Sequence, residues 1–454
     1  MVPKISKLKV SEKARKLVFP EMLGSLVVGG EERNYNMGSD TRYESAGEEL
    51  RTFEPHGFAL KHMIKDQTYD FDEELSVPQK INKNLGAIVH ACVNDDDEKR
   101  SDLEHELSRK EINLEKLQRV ASSGIPDGGS LRATIWKLLL GYVPTSRDLW
   151  EKELTESRLK YVKLKAELLL NPSELSRRED KSLRFLGHDT KVSEPLERYN
   201  ISKEDHPLSL GKTSIWHQYF EFTEISDQID RDLQRTHPDL EFFSGDSPLS
   251  RRNRESMRNI LLLFAKLNPA ISYVQGMNEV LAPLYYVFRT DSDEHNTANL
   301  EADTFSCFVI LMSGCVDHFC QQLDSSSMGI HSTLSNLSKL LKTNDEELWH
   351  HLEYKSKVDP QFYAFRWITL LLTQEFKLHH ILRIWDTLLS NPFGLQDMLL
   401  RICCAMLMCV KSKLLSGDFV DNLKLLQHFP ELDVEHLLQI AQGMTMDTSF
   451  LSAV

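Results

Sequence analysis

No apolar run in this 454-residue chain approaches the roughly 18 to 20 residues that span a bilayer. The nearest, Ile402 to Val410, is about half that length and reads as a buried helix. The first twenty residues carry Lys4, Lys7, Lys9, Lys13, Arg15 and Lys16 without an apolar h-region, which argues against a secretory signal. A basic tail is the reading there, with a transit peptide as its alternative. Positive charge is in deficit: 54 Lys and Arg stand against 68 Asp and Glu, a net charge of −14. Nucleic acid is therefore a poor expected partner, and so is a purely electrostatic grip on anionic lipid. Direct membrane insertion is not expected. The seven cysteines are odd in number, sit largely in apolar runs and form no C-x-x-C pair. They read as reduced core thiols of an intracellular protein. A fixed-period repeat is absent, and so is any series of period-two strands joined by hairpin turns.

What is present is the composition of an ordinary soluble globular protein, 41% hydrophobic and 27% charged. Residues 1–100 mix Gly29-Gly30, scattered charge and short apolar patches, ending in the acidic run Asp95 to Glu98. They read as an N-terminal extension of unknown role, partly irregular or disordered. From Ser101 the apolar spacing turns helical through Leu103, Leu107, Ile112, Leu114 and Leu117, and Ser123-Gly124-Ile125-Pro126 stops it. Helices are predicted over 130–141, 148–170, 215–236, 253–267, 278–289, 303–323, 332–342, 345–354, 360–375, 379–390, 395–414, 417–428 and 435–444. The fold class is all-α. Two polar interruptions, 171–212 and 290–300, read as a long exposed connection and a surface loop.

Two phrases carry the candidate chemistry. Ile229 to Arg235 reads I-x-x-D-x-x-R, and Tyr273 to Asn278 reads Y-x-Q-G-M-N. Wound at about 100° per residue, Phe222, Ile225, Ile229 and Leu233 share an arc of about 80°, the expected buried face. Asp232 falls about 20° outside that arc and needs a donor or cation. Arg235 stands near the helix end set by His237-Pro238. By itself, Asp with Arg at i,i+3 is commonly a modest surface pair. In the second phrase Asn278 is a plausible helix cap, Gly276 permits the turn that presents Gln275, and Tyr273 can anchor the loop. A turn glutamine bonding its own backbone is the plain reading of that phrase alone.

With these phrases in order, the chain resembles the TBC-domain proteins, the GTPase-activating proteins of Rab GTPases. The likeness rests also on Gly124-Ile125-Pro126 with Arg132-x-x-x-Trp136 and Leu139-Leu140-Gly141, and on Phe365-Arg366-Trp367, Glu375-Phe376 and Arg383-Ile384-Trp385-Asp386. The resemblance implies many packed helices in two helical subdomains. It divides the chain into the extension at 1–100, a TBC domain at 101–390 with core motifs from 122, and C-terminal helices at 391–454 packed on it. It further implies a dual-finger activator working in trans. Arg235 would neutralise charge on the transferring phosphoryl group and Gln275 would orient the attacking water. Asp232 would hold the Arg235 region, Tyr273 and Gly276 the glutamine loop, while Ile229, Arg132 and Trp136 give structural support. The expected partner is a Rab GTPase in its GTP-bound form, which brings its own GTP and magnesium. The chain itself is expected to hold no cofactor or metal, and to act in the cytoplasm and at endomembranes through that partner, regulating vesicle trafficking. A non-catalytic scaffold using the same surface is the alternative.

Gly211-Lys212-Thr213 looks like the end of a P-loop, but position 206, where the first glycine belongs, is His206. His350-His351 and His379-His380 are adjacent pairs, whose rings are expected to diverge on a helix.

Overall fold

The computed structural model describes residues 96–169, 215–319 and 329–444. Among them the regular structure is helical, as the sequence pattern predicts, with one isolated bridge between Glu111 and Ser146. The longer helices are α1 (96–107), α2 (Leu114–Ala121), α3 (Leu131–Leu139), α4 (Trp150–Leu168), α5 (Ile215–Gln234), α6 (Pro248–Leu267) and α7 (Met277–Arg289). They continue as α8 (Leu300–Ser313), α9 (Ile330–Asn344), α10 (Leu378–Ser390), α11 (Leu395–Cys409), α12 (Phe419–Gln427) and α13 (Val434–Gly443). Among the described residues no helix is long and apolar enough to cross a membrane.

The boundaries follow local chemistry. Asn113 caps α2 by accepting from the Lys116 amide at 3.1 Å. Ser247 caps α6, and Pro248 supplies the pre-set φ of a first turn, so this helix starts earlier than the predicted 253. The pattern read as helical from Ser101 is interrupted at 108–113, where the buried Glu106 carboxylate accepts from the Asn113 amide at 2.8 Å. The stretch 290–300, expected as a loop, contains a short helix, Glu294–Ala298, capped by Asp293. The predicted 360–375 helix stops at Thr369. There Leu371 and Leu372 take left-handed φ of 50° and 65°, and the Trp385 indole donates to the Leu371 carbonyl at 3.2 Å. Likewise 395–414 breaks after Cys409, and 303–323 gives way after Ser313 to a 3-10 turn at Val316–Phe319. The 171–212 connection and the P-loop-like triplet lie outside the described residues.

Packing sorts the helices into two groups around one continuous apolar core. In the first, α5 packs on α6, α8 packs on α4, α6 and α7, and α6 packs on α7. In the second, α11 sits at the centre against α9, α10 and α13. Helix α10 also reaches across to α2, α3 and α7, so it joins the groups. Cys307, Cys315, Cys403 and Cys404 are buried free thiols, and Cys409 is half-buried. Burial pushes all five thiols up from their ordinary range, so they pack as small apolar groups.

Candidate functional site

The site grows from the C-terminal end of α5. Ile229 and Leu233 point into the core, at 0% and 1% exposure, which fixes the rotation of the helix. That rotation buries Asp232, and a buried carboxylate must find donors. It finds two. Arg235 Nη2 donates to Oδ1 at 2.7 Å, and the Tyr273 hydroxyl donates to Oδ2 at 2.6 Å. One carboxylate therefore joins the arginine of the first phrase to the loop of the second. Arg235 lies one residue past the helix end, in a turn closed by its amide on the Asp232 carbonyl at 3.1 Å. Its side chain is 58% exposed while Asp232 stays covered. An arginine anchored at one nitrogen and open to solvent is poised to meet an external anion.

The loop between α6 and α7 is equally determined. Asn268 ends α6, and Gly276, at φ +104°, opens α7. A Cβ on Gly276 would come within 2.4 Å of Leu370 Cδ2, so the backbone conformation favours glycine here and any side chain would have to displace Leu370. Gln275, immediately before it, is exposed. Asn278, expected as a cap, lies inside the first turn of α7 and does something different. Its Oδ1 accepts from the Gly276 amide and the Tyr273 hydroxyl, both at 3.2 Å. Its Nδ2 donates to Thr236 Oγ1 at 2.9 Å and to Glu279 Oε1 at 3.0 Å. Asn278 thus ties the glutamine loop to the end of α5. Sequence reasoning missed Thr236 and Glu279 because their polar atoms meet only in the fold. Asn278 meets a Thr four residues after the Asp of the other phrase, and that pairing carries no periodic signal.

Arg235, His237 and Glu279 line a cavity of about 1000 Å³, whose other walls include Arg132 and the segment Thr373–Leu378. Burial pushes the Glu279 carboxyl up to about 7, with the Asn278 bond and Arg235 opposing and Asp232 adding to the rise. Burial holds the His237 imidazole below its ordinary range.

Arg132 and Trp136 form a separate cluster. Asp386, fully buried, accepts from the Trp136 indole at 2.8 Å, from the Ile125 amide at 3.0 Å and from Arg132 Nε at 3.2 Å. Trp136 and Trp385 pack with ring centroids 5.7 Å apart. The Arg366 guanidinium makes a two-point pair with Glu375, at 2.7 and 3.0 Å, and also holds the Gln427 carbonyl at 2.9 Å. Arg383 pairs with Glu435 at 2.6 and 2.8 Å. These residues tie α3, α10 and the second helix group together. The His379 and His380 rings, expected to diverge, lie 4.0 Å apart at the start of α10.

The Rab-GTPase-TBC domain family matches residues 129–415. TBC1 domain family member 13 of Homo sapiens is 35% identical over 404 residues, spanning 76% of this chain and 97% of the relative. The GTPase-activating protein gyp1 of Schizosaccharomyces pombe is 28% identical over 337 residues, spanning 71% of this chain and 55% of the relative. Among solved structures, the Ypt/Rab-GAP domain of Gyp1p superimposes with a TM-score of 0.57 at 25% identity, covering 76% of this chain and 97% of that one.

Proposed function

The chain belongs to the Rab-GTPase-TBC domain family, and from that premise we propose that it accelerates GTP hydrolysis on a GTP-bound Rab-family GTPase by lending it Arg235 and Gln275. The observation that carries this reading is the Asp232 carboxylate, which holds the exposed Arg235 with one oxygen and the Tyr273 anchor of the Gln275 loop with the other. A rigid mount beneath two exposed polar side chains suits a mechanism in which neither forms a covalent bond. Arg235 would leave or share Asp232 to neutralise charge on the transferring phosphoryl group, and Gln275 would orient the attacking water. Tyr273 and Gly276 hold the loop, Ile229 sets the helix rotation, and Arg132 and Trp136 brace the fold behind it. The nucleotide and its magnesium belong to the partner, and the chain needs no cofactor of its own. It would work in the cytoplasm and reach endomembranes through the GTPase, limiting how long that GTPase directs vesicle traffic.

Single-turnover GTP hydrolysis across a Rab panel tests this. Arg235→Ala should remove roughly 10³ to 10⁵ of the acceleration, about 4 to 7 kcal/mol. Arg235→Lys should also fail, because it keeps the charge and loses the planar two-point donor. Gln275→Ala should be slow with GTPase binding retained. No acceleration by the wild type on any Rab would leave the scaffold reading; acceleration indifferent to Arg235→Ala would overturn the assigned mechanism.

A further inference from the structure

A second carboxyl lies under the two phrases, and the finger chemistry does not use it. Glu279 is 6% exposed in the first turn of α7. Its Oε1 accepts from Asn278 Nδ2, the same amide group that holds Thr236 and so the end of α5. Its Oε2 lies 4.0 Å from His237 Nε2, a buried nitrogen with no hydrogen-bond partner. Glu279, His237 and Arg235 share one cavity wall. The groups facing Glu279 are Asp232, Arg235 and His237 from the end of α5 and the uncharged Gln374 from the second helix group. Arg132 and Glu375 line the same cavity farther round. Two carboxylates, Asp232 and Glu279, thus face one guanidinium.

We propose that Glu279 is a positioning residue that takes up a proton when an anionic phosphate docks against Arg235. This rests on the activator reading above. When Arg235 turns to a phosphate, the guanidinium is shared with new negative charge, and two buried carboxylates remain behind it. Repulsion between like charges at short range in a poorly solvated site is relieved by neutralising one of them. Asp232 keeps the Tyr273 hydroxyl as a donor while Arg235 is shared. Glu279 has weaker support, and burial already brings its carboxyl to about 7, so both forms are populated near neutrality. The proton comes from solvent through the cavity and bonds to Oε2, the oxygen facing His237 Nε2. Oε1 remains an acceptor for Asn278 in either form, so the tie between the Gln275 loop and α5 survives protonation.

The test pairs wild type with Glu279→Gln, which keeps an acceptor for Asn278 and cannot titrate. Single-turnover kcat/KM for a Rab GTPase that the wild type accelerates is measured from pH 6 to 8 and divided by the rate of the GTPase alone. The wild-type ratio should fall about fivefold between pH 7 and pH 8, while the Glu279→Gln ratio stays level over the same range. Calorimetric binding to the GTPase carrying GDP and aluminium fluoride, run in two buffers of different ionisation enthalpy, should show proton uptake at pH 7.5 by wild type and less by the variant. Parallel pH profiles or equal uptake would overturn the proposal. Should Glu279→Gln fail to fold, absence of uptake by the wild type would overturn it alone. A wild type that accelerates no GTPase sinks the activator reading and this one with it; acceleration with coincident profiles sinks only this one.

Discussion

Asp232 shows how much one side chain can fix. A charge at 4% exposure is costly unless its oxygens are occupied, and Arg235 with Tyr273 occupy both. Asp232→Asn should keep the side-chain size while weakening both bonds. The expected result is a loss of about 1 to 3 kcal/mol in chemical denaturation, with a tenfold or larger loss of GTPase acceleration. An unchanged acceleration would mean that the anchor does not orient the arginine. Glu279 gives a pH signature at the same scale. Its carboxyl stands at about 7 in the fold against an ordinary 4.5, so the folded state binds the proton more tightly. The stabilising contribution is complete below 4.5 and is lost as pH rises through 4.5 to 7. Wild type should therefore lose, relative to Glu279→Gln, on the order of 3 kcal/mol across that window and nothing further above it; denaturation curves at pH 4.5, 6, 7 and 8 check this. Asp232, Arg235, Tyr273 and Gly276 were legible in the sequence because two short phrases hold them at fixed spacing. Glu279 and Thr236 were not, since Thr236 meets Asn278 and Glu279 approaches His237 only in the fold.

At the scale of elements, the glutamine loop is shaped as much by what it touches as by its own residues. Gly276 has a left-handed φ, and Leu370 occupies the place its Cβ would take. Gly276→Ala should cost about 1 to 3 kcal/mol of stability and most of the acceleration. Adding Leu370→Ala should recover the steric part and leave the backbone part; full recovery would show that the conformation itself costs little. The sequence announced the turn through its glycine. It did not announce the supporting turn at Leu370–Leu372, because leucine is a strong helix former and the pattern there continues the helical period. Burial of Leu371 and Leu372, with the Trp385 indole on the Leu371 carbonyl, overrides that propensity. Local polar contacts accompany the two other departures: Glu106 accepts from the Asn113 amide where α1 has ended at 107, and the buried Asp291 accepts from Asn296 of the short helix within 290–300.

Across the whole molecule, α10 is the member both helix groups share, and Asp386 is its fully buried polar contact with α3. Removing that carboxylate strands the Trp136 indole and the Ile125 amide and leaves Arg132 only Asp127 and the Ile125 carbonyl. Asp386→Ala should cost about 3 to 5 kcal/mol in chemical denaturation, with binding to the GTPase lost in step with folding; a loss of activity at undiminished stability would make Asp386 part of the site instead. The all-α class and the helix order could be read from apolar spacing, since long amphipathic segments repeat their pattern several times. The division into two groups was expected from the family resemblance and not from apolar spacing, because it depends on which faces meet. Leu370 carries a consequence for the time course of making this protein. Both finger phrases leave the ribosome before the residue that seats Gly276 has been joined to the chain. A nascent chain that has just completed Gln275 holds every group proposed to touch the nucleotide, and still lacks the seat for its loop. Competence to act on a GTPase would then arrive late in synthesis, when the second helix group closes over the first, and half-made chains would be silent competitors at most.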